Sequence, residues 1–563
     1  MARTVGIGIQ DFATIIENAY FYIDKTAFIK EWWENGDSVT LITRPRRFGK
    51  TLTMSMVEQF FSVNYAGRND LFENLSIWKE EKYRGLQGTY PVISMSFAGV
   101  KEKSLEQARK KICRIIKSVY DKYEFLLEGD TLSESEKKDF RQITTDMDDS
   151  VASYSLKALS DYLYRYYGKK VIILLDEYDT PMQEAYVDGY WEEFVAFTRN
   201  LFNSTFKTNP SLGRGIMTGI TRVSKESIFS DLNNLKVVTT TSNEYAESFG
   251  FTEKEVFEAI EEFGFSDKKQ KVKEWYDGFT FGNVSDIYNP WSILNFLDTG
   301  KFAAYWANTS SNSLVAKLIR EGSRRTKASF EALMRGENIR MPIDEQIVYN
   351  QLDEDESAIW SLLLASGYLK VIDYEKYSDE VWRPKYELAL TNLEVKIMFQ
   401  NMISRWFVNA EEHYNDFVTA LLLGDVKAMN RYMNEVALET FSYFDTGKRV
   451  SKKSDPERFY HGFVLGLMVE LTGRYVLTSN RESGFGRYDV VLEPKRTEDD
   501  AMIIEFKVRD EEDEATLSDT VKAALQQIEQ KKYDTVLLAK GISQTRIRKY
   551  GFAFEGKKVL IGK

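Results

Sequence analysis

From Ser38 to Thr51 the chain reads SVTLITRPRRFGKT, an apolar run, Val39 to Ile42, that enters a loop closing on Gly49-Lys50-Thr51. The residues after it, Leu52 to Phe61, are apolar at helical spacing. A strand, a loop and a helix in that order leave backbone N–H groups unpaired at the helix N-terminus. Such groups hold nucleotide phosphates, with a lysine reaching the outer phosphates and a threonine hydroxyl meeting Mg²⁺. The general pattern has glycine five residues before Gly49, where this chain has Arg44. Taken alone, the loop therefore also reads as an ordinary strand-to-helix turn.

A second segment changes that balance. Val171-Ile172-Ile173-Leu174-Leu175 is apolar without interruption and ends in Asp176-Glu177. Such a run marks a strand buried on both faces, and open parallel sheets keep their ligand chemistry at the C-terminal ends of strands. Asp176 is placed to hold Mg²⁺ together with Thr51, and Glu177 to polarise an attacking water. The plain alternative is two solvated acids at the start of a loop. Between the two motifs, Pro91 to Phe97 reads as a strand and Leu105 to Tyr123 as an amphipathic helix, an alternation that predicts an α/β parallel sheet. Further on, Gly215 to Arg222 reads as another core strand. In ring- or clamp-type ATPases a polar residue of the matching strand senses the γ-phosphate; Thr218 or Thr221 suits that role, and Arg222 is either a transition-state cation or an ion-pair residue.

Composition narrows the chemistry. A chain of 563 residues is too long for one hydrophobic core, so two to four domains are expected. Two histidines and one cysteine, Cys113, nearly exclude His-dependent triads, His-rich centres, Cys-based zinc sites and intrachain disulfides. Any metal must then sit on carboxylates, which favours Mg²⁺ or Mn²⁺. Cys113 itself reads as a small buried hydrophobe. A net charge of -11 argues against indiscriminate polyanion binding and leaves room for a local basic surface. No run approaches a membrane span and Met1 to Gln10 lacks a signal-peptide core, so a cytoplasmic protein without membrane partners is expected.

These residues resemble the AAA-ATPase-like proteins of bacteria, in which a P-loop domain is joined to a C-terminal PD-(D/E)xK nuclease-like domain. The resemblance rests on Tyr22-Ile23-Asp24-Lys25-Thr26, Thr43-Arg44-Pro45-Arg46-Arg47-Phe48-Gly49-Lys50-Thr51 and Leu175-Asp176-Glu177-Tyr178-Asp179. Thr218 to Arg222 with Phe229 to Leu235, Trp275 to Gly278 and Tyr288 to Trp291 add to it. It implies ATP as cofactor. It also implies a nucleotide site formed by Arg44, Arg47, Phe48, Gly49, Lys50, Thr51, Asp176, Thr218 and Arg222, since the family tolerates arginine in the place of the first glycine. From residue bias alone, Tyr20 to Thr26 is an aromatic packing element whose Thr26 is placed to cap a helix through Trp33.

The middle of the chain, residues 241–450, reads as mostly helix. Phe251 to Phe263 is amphipathic, and Asn289 before Pro290 is a helix start. The helix Ala358 to Gly367, followed by Tyr368 to Ile372 and Tyr386 to Leu390, suggests a winged-helix-like module; such modules either bind DNA or serve in ATPases as a lid or spacer, and the spacer is the favoured reading. Residues 1–240 then form the AAA-like domain and residues 451–563 a C-terminal α/β, restriction-endonuclease-like domain set off by the polar linker Lys452 to Pro456.

In that last domain a helix from Glu457 precedes two strands, Arg487 to Leu492 and Met502 to Val508. Alternation puts Glu505 and Lys507 on one face and Ile504, Phe506 and Val508 toward the core. Paired as a hairpin, the strands bring Asp489 to Glu505, a carboxylate pair with an adjacent lysine that can hold Mg²⁺ and orient water for attack on a phosphodiester. This resembles the Asp…Glu-x-Lys pattern of PD-(D/E)xK nucleases. Glu470 on the preceding helix is a further metal candidate, and Gln527 ahead of Tyr533 is similar to the glutamine of RecB-like members, at an unusual spacing. A strand, Thr535 to Ala539, is expected to close the unit. Two functions follow: an ATP-gated metal-dependent nuclease acting on nucleic acid, DNA in the first instance, in defence or mobile-element biology, or a switch whose last domain only recognises nucleic acid or a partner. Homo-oligomers are compatible with either.

Overall fold

Val39–Thr43 (β1), Val92–Ser96 (β2), Val171–Asp176 (β3), Leu212–Gly219 (β4) and Leu235–Val238 (β5) hydrogen-bond as one parallel sheet in the order β2-β3-β4-β1-β5. Every residue of β1 and β3 is buried, as strands covered on both faces must be; β3 is apolar from Val171 to Leu175, while in β1 Thr40 accepts from Trp32 Nε1 and Thr43 donates to the Val238 carbonyl. The computed structural model describes residues 3–223, 232–307, 313–321, 324–347, 352, 356–375, 385–405, 411–444, 455–479, 482–483, 486–487, 489–510 and 514–563. The expected linker at Lys452 to Ser454 lies outside them.

Contacts divide the chain into two compact units, Met1–Ser311 with Asn338–Val395, and Asn312–Glu337 with Lys396–Lys563. In the first, helices cross between the parallel strands: Lys50–Phe61 (α1), Leu105–Asp121 (α2), Asp149–Tyr167 (α3) and Thr180–Asp188 (α4). Ser104 caps α2 through the Gln107 N–H, and Gly168, left-handed, stops α3. Cys113 is fully buried in α2. Thr26 precedes the helix Ala27–Asn35 without a capping bond; its hydroxyl bonds Asp24 instead. Asn289 caps Pro290–Thr299 (α5), accepting from the N–H groups of Trp291 and Ser292. Glu356–Ala365 (α6) leads into the antiparallel pair Leu369–Tyr374 and Lys385–Leu390, the helix-then-strands order of a winged-helix-like module.

The expected strand Gly215 to Arg222 is displaced toward the N-terminus, to Leu212–Gly219. It ends at Gly219, and Arg222–Val223 turns away to pair with Gln346–Ile347. A Cβ on Gly219 would lie 2.7 Å from both the Asp179 carboxylate and the Tyr178 ring, so the chain breaks where those side chains cross it.

The second unit holds a mixed sheet, Tyr475–Ser479 (β6), Val490–Pro494 (β7), Ala501–Val508 (β8), Ile547–Glu555 (β9) and Lys558–Gly562 (β10), in chain order with only β8 and β9 parallel. Val426–Phe444 (α7), Asp455–Leu471 (α8) and Leu517–Lys531 (α9) accompany it. Thr535–Ala539, expected as a strand, is a short helix (α10), and β9 and β10 close the sheet in its place. A five-residue apolar run is too short for its period to separate the two forms. Val508, expected in the core, is 48% exposed because β8 runs past the cover at its end.

Candidate functional site

In the first unit the loop after β1 ends at Gly49, whose φ of 82° is the left-handed conformation that glycine adopts without strain. Arg47 holds φ 65° in the same loop without that freedom. Lys50, the first residue of α1, donates from Nζ to the carbonyls of Arg44 and Pro45, each at 2.9 Å. Burial pushes its ammonium pKa down, against the pull of Glu177 and Asp176. Phe48 packs edge-on against Phe279 and Phe281, and the exposed Arg47 lays its guanidinium 4.4 Å from the Trp291 ring centre. From downstream, Trp306 Nε1 and Asn289 Nδ2 donate to the Arg46 carbonyl at 2.9 and 3.3 Å. A loop pinned at its backbone in this way keeps its shape when a ligand arrives.

The acids stand where β3 ends. Thr51 Oγ1 donates to Asp176 Oδ2 at 2.8 Å, and the buried Thr218 hydroxyl donates to the other carboxylate oxygen. Thr218 also accepts the Glu177 N–H at 3.2 Å, so one hydroxyl fixes both acids. Burial raises the Asp176 pKa, and the two threonine donors oppose the shift. Glu177 sits at φ 51°, a left-handed position that costs a non-glycine residue roughly 1 kcal/mol or more and that cross-strand bonds must hold. Asp179, given no role by sequence reading, accepts the N–H groups of Ile220 and Thr221, both at 2.8 Å, and ties the end of β3 to that of β4.

Two expected nucleotide residues are placed differently. Arg44 is fully buried and does not line the cavity; Nη1 donates to the carbonyls of Thr43 and Thr239, and Nη2 to that of Glu244. It is a brace under the loop. Thr218 is likewise buried behind the acids and sets their positions. The side chain of Arg222 lies outside the described residues.

A cavity of about 350 Å³ opens on Arg46 to Thr53 and Glu177. Its far walls come from Gly6, Gly8 to Gln10, Tyr20 to Ile23, Lys25, Phe251 and Trp291. Sequence reasoning gave the first ten residues no function and made Tyr20 to Thr26 a packing element. The signal was present in Tyr22 to Thr26, which carries part of the family resemblance.

In the second unit β7 and β8 pair antiparallel with Val490 opposite Ile504, which sets Asp489 beside Glu505. The Asp489 N–H donates to Glu505 Oε2 at 3.3 Å, and the Phe506 N–H to Asp489 Oδ2 at 2.9 Å. Gln527 Nε2 donates to Glu505 Oε1 and, at 3.1 Å, to the Tyr533 hydroxyl. Glu505 is 3% exposed, and burial together with the Asp489 charge pushes its pKa up to about 8. Lys507 follows two residues on along β8, half-buried. Glu470 is not part of this group: it is exposed on α8 and joins no carboxylate cluster with Asp489 and Glu505 among the described residues. The one three-carboxylate cluster among them, Glu253, Asp277 and Asp286, is answered by Lys273, 3.2 Å from Asp286.

Both oxygen-rich pairs suit a hard divalent cation. Thr51 and Asp176 present a hydroxyl and a carboxylate at contact distance; Glu505 is raised by burial first and by the Asp489 charge second, and a cation between the two carboxylates relieves the second. Among the described residues no helix is long and apolar enough to cross a membrane.

Both regions of the chain match known families. Residues 6–229 match a family described as predicted AAA-ATPase, and residues 455–563 match the PD-(D/E)XK nuclease superfamily. A protein of Azotobacter chroococcum mcd 1, described as an uncharacterized protein in the vnfD 5′ region, is 26% identical over 396 residues, 70% of this chain and 68% of that protein.

Proposed function

A chain that carries an AAA-ATPase-like domain and a PD-(D/E)XK nuclease superfamily domain has parts for two kinds of phosphate chemistry, and we propose that it couples them. ATP binds and is hydrolysed in the first-unit cavity, and its state controls a Mg²⁺- or Mn²⁺-dependent cleavage of nucleic acid, DNA by preference, at Asp489 and Glu505. The observation that carries the reading is the hydrogen-bonded run from Thr51 through Asp176 and Thr218 to Glu177 at the cavity's edge.

The α1 N-terminus and Lys50 would take the phosphates, Lys50 exchanging the carbonyls of Arg44 and Pro45 for phosphate oxygens. Thr51 and Asp176 would hold Mg²⁺, which supplies charge neutralisation at the outer phosphates. Glu177 accepts the proton of the attacking water. In the second unit Asp489 and Glu505 would hold the ion, Gln527 keeps the Glu505 carboxylate in place, and Lys507 orients water and meets charge growing on the phosphate.

The test is MgATP turnover with labelled DNA cleavage in Mn²⁺, each with and without ATP. Lys50→Ala should lose nucleotide binding and Glu177→Gln should bind without turnover. Glu505→Ala should lose cleavage while keeping its fold. Undiminished hydrolysis in both the Lys50 and Glu177 variants would overturn the first half. A wild type that hydrolyses ATP but cuts nothing under any nucleotide condition would leave a switch that recognises nucleic acid without cleaving it.

A further inference from the structure

Glu177 shares its cavity with several cations, and Asp176 and Asp179 lie close enough to act on it electrostatically. Lys50, Arg46, Arg47 and Lys101 all line the cavity on which its carboxylate opens. A free carboxylate there would pair with whichever cation it met, and a base that must address one water cannot be left to do so. Its backbone is fixed by the Thr218 hydroxyl on its N–H and by the left-handed turn at φ 51°. That leaves the side-chain torsions, which neither contact controls.

The carboxylate has one hydrogen-bond donor among the described residues. Thr180 Oγ1 donates to Glu177 Oε2 at 2.9 Å, and the Thr180 N–H closes the turn on the Glu177 carbonyl at 3.3 Å. Thr180 is the first residue of α4 and is followed by Pro181, whose ring fixes the helix start from which the hydroxyl reaches back. Thr180 also lines the cavity, so the bond lies at the face a bound nucleotide would meet. A threonine hydroxyl has both a donor and a β-methyl that restricts its rotamer, which suits it to holding a carboxylate in one orientation.

We infer that Thr180 is a positioning residue for hydrolysis, aiming the Glu177 carboxylate at the water and keeping it from the surrounding cations. This rests on the reading of Glu177 as the base. Thr180 enters no bond-making step; its work is done before the proton moves.

The experiment measures MgATP turnover and, separately, MgATP affinity by equilibrium binding for the full chain and for Thr180→Val, Thr180→Ser and Glu177→Asp, with the double variant Thr180→Val/Glu177→Asp. Misaiming a base by about an ångström costs on the order of 100-fold, so Thr180→Val should lower kcat by about 10- to 100-fold with affinity unchanged. Thr180→Ser should restore most of the rate. Removing one methylene draws the carboxylate back from the hydroxyl, so Thr180→Val should cost less in that background than in the wild type, which makes the two losses non-additive. A role in packing alone predicts losses that multiply and a serine variant no better than valine. Either result, or a Thr180→Val enzyme at the wild-type rate, overturns the inference and leaves the ATPase reading in place. A wild type that binds no MgATP or does not turn it over overturns both.

Discussion

Replacing Arg44 by glycine brings the loop closer to the general phosphate-loop pattern, and the structure makes that improvement a loss. The Arg44 guanidinium is fully buried, donates to the carbonyls of Thr43, Thr239 and Glu244 at 3.0, 2.7 and 3.2 Å, and lies 4.4 Å from the Phe281 ring centre. Burial lowers its pKa to about 9, with Glu345, Glu244 and Glu31 pulling the other way, so it remains charged at neutral pH. Glycine would leave those carbonyls short of a donor and open a side-chain-sized void. At roughly 1 kcal/mol per hydrogen bond and a further 1–2 kcal/mol for the void, less the relief of a buried charge, the net loss is about 3–4 kcal/mol. Lysine, a single compact ammonium, cannot span Thr239 and Glu244 together and should lose about half as much; the Nε it lacks has no hydrogen-bond partner among the described residues. The assay is the urea midpoint of the first unit's transition without nucleotide, at unchanged m, beside the MgATP affinity of the folded protein. The midpoint should fall for both variants while affinity changes by less than about tenfold. If Arg44→Gly leaves the midpoint in place and removes nucleotide binding, the guanidinium meets phosphate and the brace is a misreading.

Two more outcomes follow from polar groups wholly or partly buried. Glu394 is fully buried, accepts from Ser292 Oγ and the N–H groups of Trp306 and Ala307, and has its pKa raised by burial to about 7. The folded state therefore favours the protonated form: the stabilisation is full below about pH 4.5 and lost as pH rises through about 7, up to about 3 kcal/mol. Glu394→Gln can keep all three contacts and should flatten the stability curve across that window; parallel curves for the two proteins would refute the assignment. In the second unit, Asn430 and Asn434 on α7 each exchange two hydrogen bonds with the edge strand β10, at Ile561 and Val559. Alanine at both should cost about 2–4 kcal/mol and make light scattering rise with protein concentration, since an uncovered edge pairs with other chains. An unchanged melting curve and scattering would show that the edge is closed by other means.

What could be read from the sequence was what neighbouring residues decide. β3 announces itself because a strand covered on both faces is apolar along nearly all its length, and the Asp176-Glu177 pair ends that run; β1, which carries the buried Thr40 and Thr43, is legible from Val39, Leu41 and Ile42 and from the loop that follows. The hairpin that joins Asp489 to Glu505 follows from strand alternation and one short turn. The direction of Arg44 was not legible, because the carbonyls that receive it, Thr239 and Glu244, lie some two hundred residues on. Nor was the task of Thr218: its strand was plain, but whether its hydroxyl faces a phosphate or two acids depends on how β3 and β4 sit in register.

Gln527 and Tyr533 show how a helix stop can do what helix periodicity cannot. Six residues apart, they do not share a helical face, and the spacing departs from that of the RecB-like glutamine and tyrosine. The helix, however, ends at Lys531, and Lys532 takes the left-handed conformation at φ 53°. The Tyr533 N–H returns to the Ile528 carbonyl and the Lys532 N–H to that of Glu529, the paired bonds of a Schellman motif. That reversal folds the buried Tyr533 ring back under α9, where its hydroxyl takes the Gln527 amide at 3.1 Å while the same amide holds Glu505. The tyrosine thereby fixes the glutamine, and the glutamine fixes the carboxylate, through a left-handed residue whose side chain type gives no hint of it. Lysine pays a steric cost there that glycine or asparagine would not, and the buried ring is what offsets it.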